Sequence, residues 1–211
     1  MKERPILFSA PMVRAILDGS KTQTRRAAKR TAGGHLKEPR GHRRWHVEDP
    51  QAVLACPYGQ PGDRLWVRET FLVDDNRRIP KTATRKNFEV DYKATSEDSP
   101  HWRWRPSIHM PRWASRITLE ITGVRVERLQ EISDKDAEAE GIEGWNVATG
   151  GDDFQDYWRN YAMTKKEERE GVPQFCGDMR ASFRSLWESI NGADSWAANP
   201  WVWCISFKRV A

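Results

Sequence analysis

The sequence predicts an α+β fold in which many strands and few helices make a small mixed barrel. Three observations predict it. Apolar and polar residues alternate over 64–70, 116–128 and 201–210, the period of a half-buried strand. Helical spacing is confined to short stretches near 11–18, 134–141, 153–161 and 179–190. The elements also run in the order strand, helix, strand, several strands, a capped helix, a second helix and a last strand. Such a chain is expected to close through its terminal strands, with short helices and loop insertions around them. At 211 residues it suits one domain, 1–211, better than two separate cores.

Each element has a local reason. Ile6, Leu7 and Phe8 form a short apolar run after Pro5, a first strand. Ser9 suits the cap of the helix that follows and Pro11 its first turn. Met12, Val13, Ile16 and Leu17 give that helix an apolar face, and Gly19 suits its end because glycine tolerates a positive φ. Residues 22–26 then read as extended. Residues 27–60 are rich in Gly, Arg, His and Pro without periodicity and read as a long loop or flap. Pro61-Gly62-Asp63 is a turn. Over 64–70 Leu65 and Val67 oppose Trp66 and Arg68, and Phe88, Val90 and Tyr92 suggest a further strand. Over 116–128 Gly123 marks a bulge, after which Val124 and Val126 continue the apolar set in shifted register. Ser133 begins a short helix to Gly141, and Asp178 caps a helix carrying Met179, Phe183, Leu186, Trp187 and Ile190 on one face. The last strand places Trp201, Trp203, Ile205 and Phe207 on one side.

Composition narrows the function classes. No apolar run approaches the ~18 residues that span a membrane. The opening Met1-Lys2-Glu3-Arg4-Pro5 lacks the apolar core of a signal peptide, so a cytoplasmic protein is expected. Cys56, Cys176 and Cys204 are far apart and form no CxxC pair, and they read as reduced thiols without a metal or cofactor. His35, His42, His46 and His109 likewise lack a tight ligand spacing. The net charge of +5 is unevenly spread. Residues 14–44 carry ten Lys or Arg against Asp18 and Glu38, whereas 127–170 carry thirteen acidic residues against six basic ones. A basic front beside an acidic flank suits either a phosphate-bearing ligand or a solvated surface.

The richest stretch is Gly19-Ser20-Lys21-Thr22-Gln23-Thr24-Arg25-Arg26. An amine, a hydroxyl and two guanidinium groups fall within six residues. With Pro61-Gly62-Asp63-x-Leu65-x-Val67-Arg68-Glu69, and Ile132-Ser133 through Ala137-x-x-Glu140-Gly141-Ile142, it resembles the ASCH domain of the PUA-like superfamily. Arg4 to Ser9 and Met110 to Arg116 extend the likeness to phage and prophage members. The resemblance covers most of the chain, with insertions at about 27–60, 74–100 and 143–177. It implies a small β-barrel with a cleft for RNA or a nucleobase. Minimal bacterial members are amidohydrolases that deacetylate N4-acetylcytidine, and their functional Lys, Thr and Glu match Lys21, Thr24 and Glu140. If phage-encoded, the protein would work in the bacterial host cytoplasm.

The chemistry of the residues fits that reading and leaves others open. Thr24 can supply a nucleophilic hydroxyl if a neighbour takes its proton, and Lys21 can do so if burial and Arg25 and Arg26 depress its pKa. Glu140 can orient the lysine or carry a proton to the leaving amine, but a carboxylate beside Lys21 also holds it charged. On pattern alone, Lys21 and Thr24 equally suit an exposed strand, and Glu140 a solvated helix end. Arg25, Arg26 and Arg68 are candidates to bind substrate or nucleic acid, and Glu69 is expected to pair with Arg26 or Arg68. Trp66, Trp102, Trp104 and Trp113 lie among arginines and can stack unpaired bases or pack the core. Three functions follow: a metal-free amidohydrolase of a modified cytidine, a binding module for single-stranded RNA (or, second, DNA), and a ribonuclease in the same cleft. Nothing in the sequence sets the oligomeric state.

Overall fold

The computed structural model describes residues 1–29, 35–37, 44–73, 84–86, 88–96, 103–150, 153–163, 169–170 and 174–210. Trp102, His42, Arg30, Arg40 and Arg43 lie outside them, as do parts of all three expected insertions. Fifteen elements are described: β1 (Glu3–Leu7), α1 (Ala10–Asp18), β2 (Gln23–Ala27), β3 (Leu36–Lys37), β4 (Arg44–Trp45), β5 (Arg64–Arg68), β6 (Phe71–Val73), β7 (Val90–Tyr92), β8 (Thr118–Arg128), α2 (Asp134–Ala139), β9 (Gly144–Gly150), β10 (Asp153–Arg159), β11 (Phe175–Cys176), α3 (Met179–Asn191) and β12 (Trp201–Arg209). The protein is a mixed α+β fold, mostly sheet, with these three α-helices and five short 3-10 segments among the described residues. None of these helices is long and apolar enough to cross a membrane.

The main sheet has the order β1-β5-β8-β12-β2. β1 runs parallel to β5, and the other neighbours are antiparallel. The expected closure through the terminal strands does not occur. β12 lies inside the sheet between β8 and β2, and no ladder joins the edge strands β1 and β2 among the described residues. β12 is nine residues long and buried at most positions, so it is better satisfied by two neighbours than at an edge. One side-chain link bridges the gap: an Arg26 guanidinium nitrogen donates to the Leu7 carbonyl at 2.6 Å. The expected bulge is present. Ser206 pairs with Gly123 and Phe207 with Ile121, so Thr122 is passed over.

α1 and α3 pack their apolar faces into one core with the sheet. Met12, Val13 and Ile16 of α1 and Phe183, Leu186 and Trp187 of α3 are buried with Leu65, Val67, Leu119, Ile205 and Phe207. Helix ends follow the expected chemistry. The Asp178 carboxylate accepts from the Ala181 N–H at 2.7 Å, and the Ser133 hydroxyl accepts from the Asp136 N–H at 3.2 Å. Gly19 ends α1 with φ at 89°. Ser9, in contrast, precedes α1 without a side-chain capping bond.

Two further expectations are corrected. The described part of 27–60 is no flap: Leu36, Trp45, Val47, Ala52, Ala55 and Cys56 are buried in the main core. These apolar residues are too irregularly spaced to show periodicity, but each loses water by docking on the sheet. The helix expected near 153–161 is the strand β10. It pairs antiparallel with β9, with Tyr157 opposite Trp145 and Trp158 opposite Gly144. Phe175 then packs against both Trp145 and Tyr157, at ring centroid distances of 5.4 and 5.6 Å. Aromatic residues favour such a pleated surface, and cross-strand pairing decides between it and a helix.

Candidate functional site

The site begins where α1 stops. After Gly19 the chain doubles back, and the Lys21 N–H donates to the Ala15 carbonyl at 2.8 Å. The next residue, Thr22, donates from its backbone to the Ala139 carbonyl at 2.9 Å, tying this turn to the end of α2. β2 then pairs with β12, placing Thr24 opposite Ile205 and Arg25 opposite Cys204. The extended stretch expected here is present, and Lys21, Gln23, Thr24 and Arg25 are all buried, so both faces at the start of β2 are covered. Burying so many polar groups requires partners for them.

Those partners come from α2 and β8. Glu140 sits at the last turn of α2 and is 3% exposed. The Lys21 ammonium nitrogen donates to the Glu140 carboxylate at 2.8 Å and to its backbone carbonyl at 2.7 Å. The other Glu140 carboxylate oxygen accepts from Arg25 Nη1 at 3.3 Å. Arg25 also donates through Nη1 to the Gln23 amide oxygen at 2.7 Å and through Nε to Glu127 at 2.9 Å. Its Nη2 lies 3.2 Å from Asp136. Arg125 bonds the same two carboxylates, Glu127 at 2.6 Å and Asp136 at 2.7 Å. Three cations thus face three carboxylates, the condition under which buried charges persist.

Gly141 makes this approach possible. Its φ is 73°, and a Cβ there would lie 2.7 Å from the Lys21 Cβ and 2.8 Å from the Ala15 Cβ. Only glycine lets the end of α2 close on Lys21 in this conformation.

Electrostatics follow the burial. Loss of water pushes the Lys21 pKa below its ordinary value; Glu140 opposes the shift, and Arg26 and Arg25 reinforce it. Burial also lowers the pKa of Arg26. Arg26 forms no ion pair with a carboxylate among the described residues. It lies 5.1 Å over the Phe8 ring and donates to Leu7. Beneath the network Cys204 is fully buried, and its thiol is pushed up to about 12 by desolvation, against the pull of Arg25 and Arg125.

These residues line a cavity of about 520 Å³. Lys21, Thr24, Arg25, Arg26 and Glu140 form its polar side. Phe8, Met12, Phe183, Leu186 and Trp187 form an apolar wall, and the hydroxyl residues Ser9, Thr70 and Ser107 also border it. A largely apolar pocket with a few convergent polar groups is the usual form of a small-molecule site. The indole nitrogen of Trp187 is buried without a hydrogen-bond partner among the described residues. No group of three or more His, Cys, Asp or Glu side chains suited to a metal ion occurs among them.

The structure therefore gathers five of the nine sequence candidates: Lys21, Thr24, Arg25, Arg26 and Glu140. The other four lie elsewhere. Glu69 does not pair with Arg26 or Arg68; it is buried in a two-bond clamp with Arg116, at 2.9 Å for each bond. Arg116, two residues before β8, brings a fork-shaped guanidinium to both carboxylate oxygens, while Arg68 is spent on the Met110 carbonyl at 2.9 Å. Trp66 lies beside Arg68 and Arg112, whose guanidinium carbons are 5.0 and 5.9 Å from its ring centre. Trp113 packs on Phe88 beside a second small core of Phe71, Val73, Met110 and Ala114.

Several site residues escaped the sequence reading. Glu127 had only its acidity to mark it, in a flank dense with acids, and Asp136 was visible only as part of the helix start at Ser133. Phe183, Leu186 and Trp187 were visible as one helix face, but not as the wall of a cavity facing Lys21. Comparison of the chain with protein-family models, with curated proteins and with solved structures finds no match.

Proposed function

We propose that this protein is a metal-free amidohydrolase that removes the acyl group from N4-acetylcytidine or a related modified cytosine, working in the cleft of an ASCH-type, PUA-like fold. The observation that carries the reading is that Lys21 from the α1–β2 turn, Thr24 from the adjoining β2 and Glu140 from the end of α2 line one cavity. The planar base suits the apolar wall of Phe8, Phe183 and Trp187.

Thr24 is the nucleophile and Lys21 its base. A neutral lysine amine has two N–H groups and one lone pair. Glu140 offers two acceptors, its carboxylate and its own carbonyl, which occupy both hydrogens and leave the lone pair to accept a proton. The Thr24 oxygen attacks the acyl carbonyl as Lys21 takes the hydroxyl proton. Arg26 is the donor available to the oxyanion. Cleavage of the C–N4 bond then returns the proton from Lys21 to the leaving cytosine nitrogen. Water, deprotonated by Lys21, then attacks the acyl-Thr24 ester; the C–Oγ bond breaks, Lys21 returns the proton to the Thr24 oxygen, and the carboxylic acid is released. A lysine with a lowered pKa suits a base that must be neutral near physiological pH.

The test is release of cytidine from N4-acetylcytidine, followed by chromatography with chelator present. Wild type should turn over, and Lys21→Ala and Thr24→Ala should lose at least about a hundredfold in kcat/KM. Equal rates in wild type and Lys21→Ala sink the proposal.

A second reading, a non-catalytic module for single-stranded RNA, is favoured by the grouping of Arg68 and Arg112 beside the Trp66 ring, which sets cations for phosphate next to an aromatic residue. It predicts binding that weakens steeply with salt and is lost in Trp66→Ala.

A further inference from the structure

A difficulty in the mechanism points to a further residue. Glu140 lies 2.8 Å from the amine that must act as a base. An unshared carboxylate at that distance in a buried site favours the charged lysine strongly. In this protein the carboxylate is shared. One oxygen faces Lys21 and the other faces Arg25 at 3.3 Å.

Arg25 is fixed in place. It is held by Gln23 on its own strand, by Glu127 of β8 and by Asp136 of α2, with the Phe183 ring 5.8 Å from its guanidinium carbon. Arg125 of β8 takes the free oxygen of Glu127 and also bonds Asp136, so these two acids balance Arg25 rather than reaching Lys21. The other ionisable groups around the site, among the described residues, are Arg26 of β2, which faces Lys21, Tyr58, which faces Arg26, and Cys204 of β12, which faces Arg25. Arg26 adds positive charge beside the lysine, and the Cys204 thiol is neutral over the working range of pH.

We infer that Arg25 is a positioning residue for the reaction: by holding one oxygen of Glu140 it lets that carboxylate orient the Lys21 amine without keeping it protonated. The inference rests on the reading of Lys21 as the general base. Arg25 touches no reacting atom in this scheme. It divides the charge of Glu140 between two cations, and a rigid guanidinium fork is suited to that because it bonds several carboxylates at once. A lysine in its place keeps the charge but cannot reach all of these acceptors.

The experiment has two arms on the intact chain. The first follows the Lys21 amine by nitrogen NMR across pH in wild type, Arg25→Lys and Arg25→Gln, with Lys21→Met to assign the signal. The second measures the pH profile of N4-acetylcytidine hydrolysis in the same variants. Arg25→Gln should move the lysine titration, and the acid limb of kcat/KM, to higher pH by about one unit, a tenfold loss of neutral amine at a fixed lower pH. Arg25→Lys should fall between the two and show that the effect is graded rather than a collapse of the fold. An Arg25→Gln titration that coincides with wild type, or that moves to lower pH, overturns the inference. If wild type turns over no substrate, the functional reading fails on its own, and the NMR arm still decides whether Arg25 tunes Lys21.

Discussion

The Lys21 amine donates to Glu140 twice, to its carboxylate at 2.8 Å and to its backbone carbonyl at 2.7 Å, across a sequence separation of 119 residues. Both side chains are almost fully buried, at 1% and 4% exposure. Neither charge would be tolerated there alone.

Removing one partner should therefore be costly. Glu140→Ala leaves Lys21 without its counter-ion and Arg25 with one carboxylate fewer, a change that typically costs about 3–5 kcal/mol. The double variant Lys21→Met, Glu140→Leu removes both charges and should recover much of that loss in urea denaturation. Additive losses from the two single changes would show that the pair is not coupled.

Stability should also carry the mark of Lys21 in its pH dependence. The folded protein binds the lysine proton less tightly than the unfolded chain, whose value is near 10.5. Between the folded value and 10.5 the unfolded state holds more protons, so stability rises with pH through that window. The penalty of the buried charge is complete below the window and gone above it. Wild type should gain on Lys21→Met as denaturation is repeated at increasing pH up to about 10.5. A gain that runs the other way contradicts the lowered pKa.

Two glycines separate strain from collision. Gly19 and Gly141 both have positive φ, but a Cβ at Gly19 meets nothing within 4 Å, whereas one at Gly141 meets Lys21 and Ala15. Gly19→Ala should cost about 1 kcal/mol and leave the cavity intact. Gly141→Ala should cost more, about 2–4 kcal/mol, and should also lower turnover by displacing Lys21. Equal losses of stability and activity in the two variants would rule out the close contact.

The three thiols should differ in reactivity. Cys56 and Cys204 are buried, with values raised to about 11 and about 12 by desolvation. At pH 8 only about one in a thousand or fewer of either is thiolate. Cys176 is only half-buried. An aromatic disulfide reagent should modify Cys176 first and the other two only after denaturation. Modification of all three at one rate would contradict the burial of Cys56 and Cys204.

The strands at 64–68 and 118–128, the bulge at Gly123, the Ser133 and Asp178 caps and the turn at Gly19 were all legible in the sequence. Each depends on residues within a few positions of one another, through side-chain alternation, a capping bond or a positive φ. The grouping of Lys21, Thr24, Arg25 and Arg26 was visible for the same reason.

What the tertiary structure alone decided involves partners far apart in the chain. Seven residues at 153–159 became a strand because β9 was there to pair with them. The last strand moved inside the sheet because two neighbours satisfied its backbone better than one, and the sheet is open among the described residues. Glu69 found Arg116, 47 residues on, in place of the adjacent Arg68. Arg25 became the hub of four acceptors, among them Glu127 and Glu140, 102 and 115 residues away. Local pattern shows which side chains can bear charge, but only the packed structure sets which charges share a buried space, and that sharing fixes the protonation on which the proposed chemistry depends.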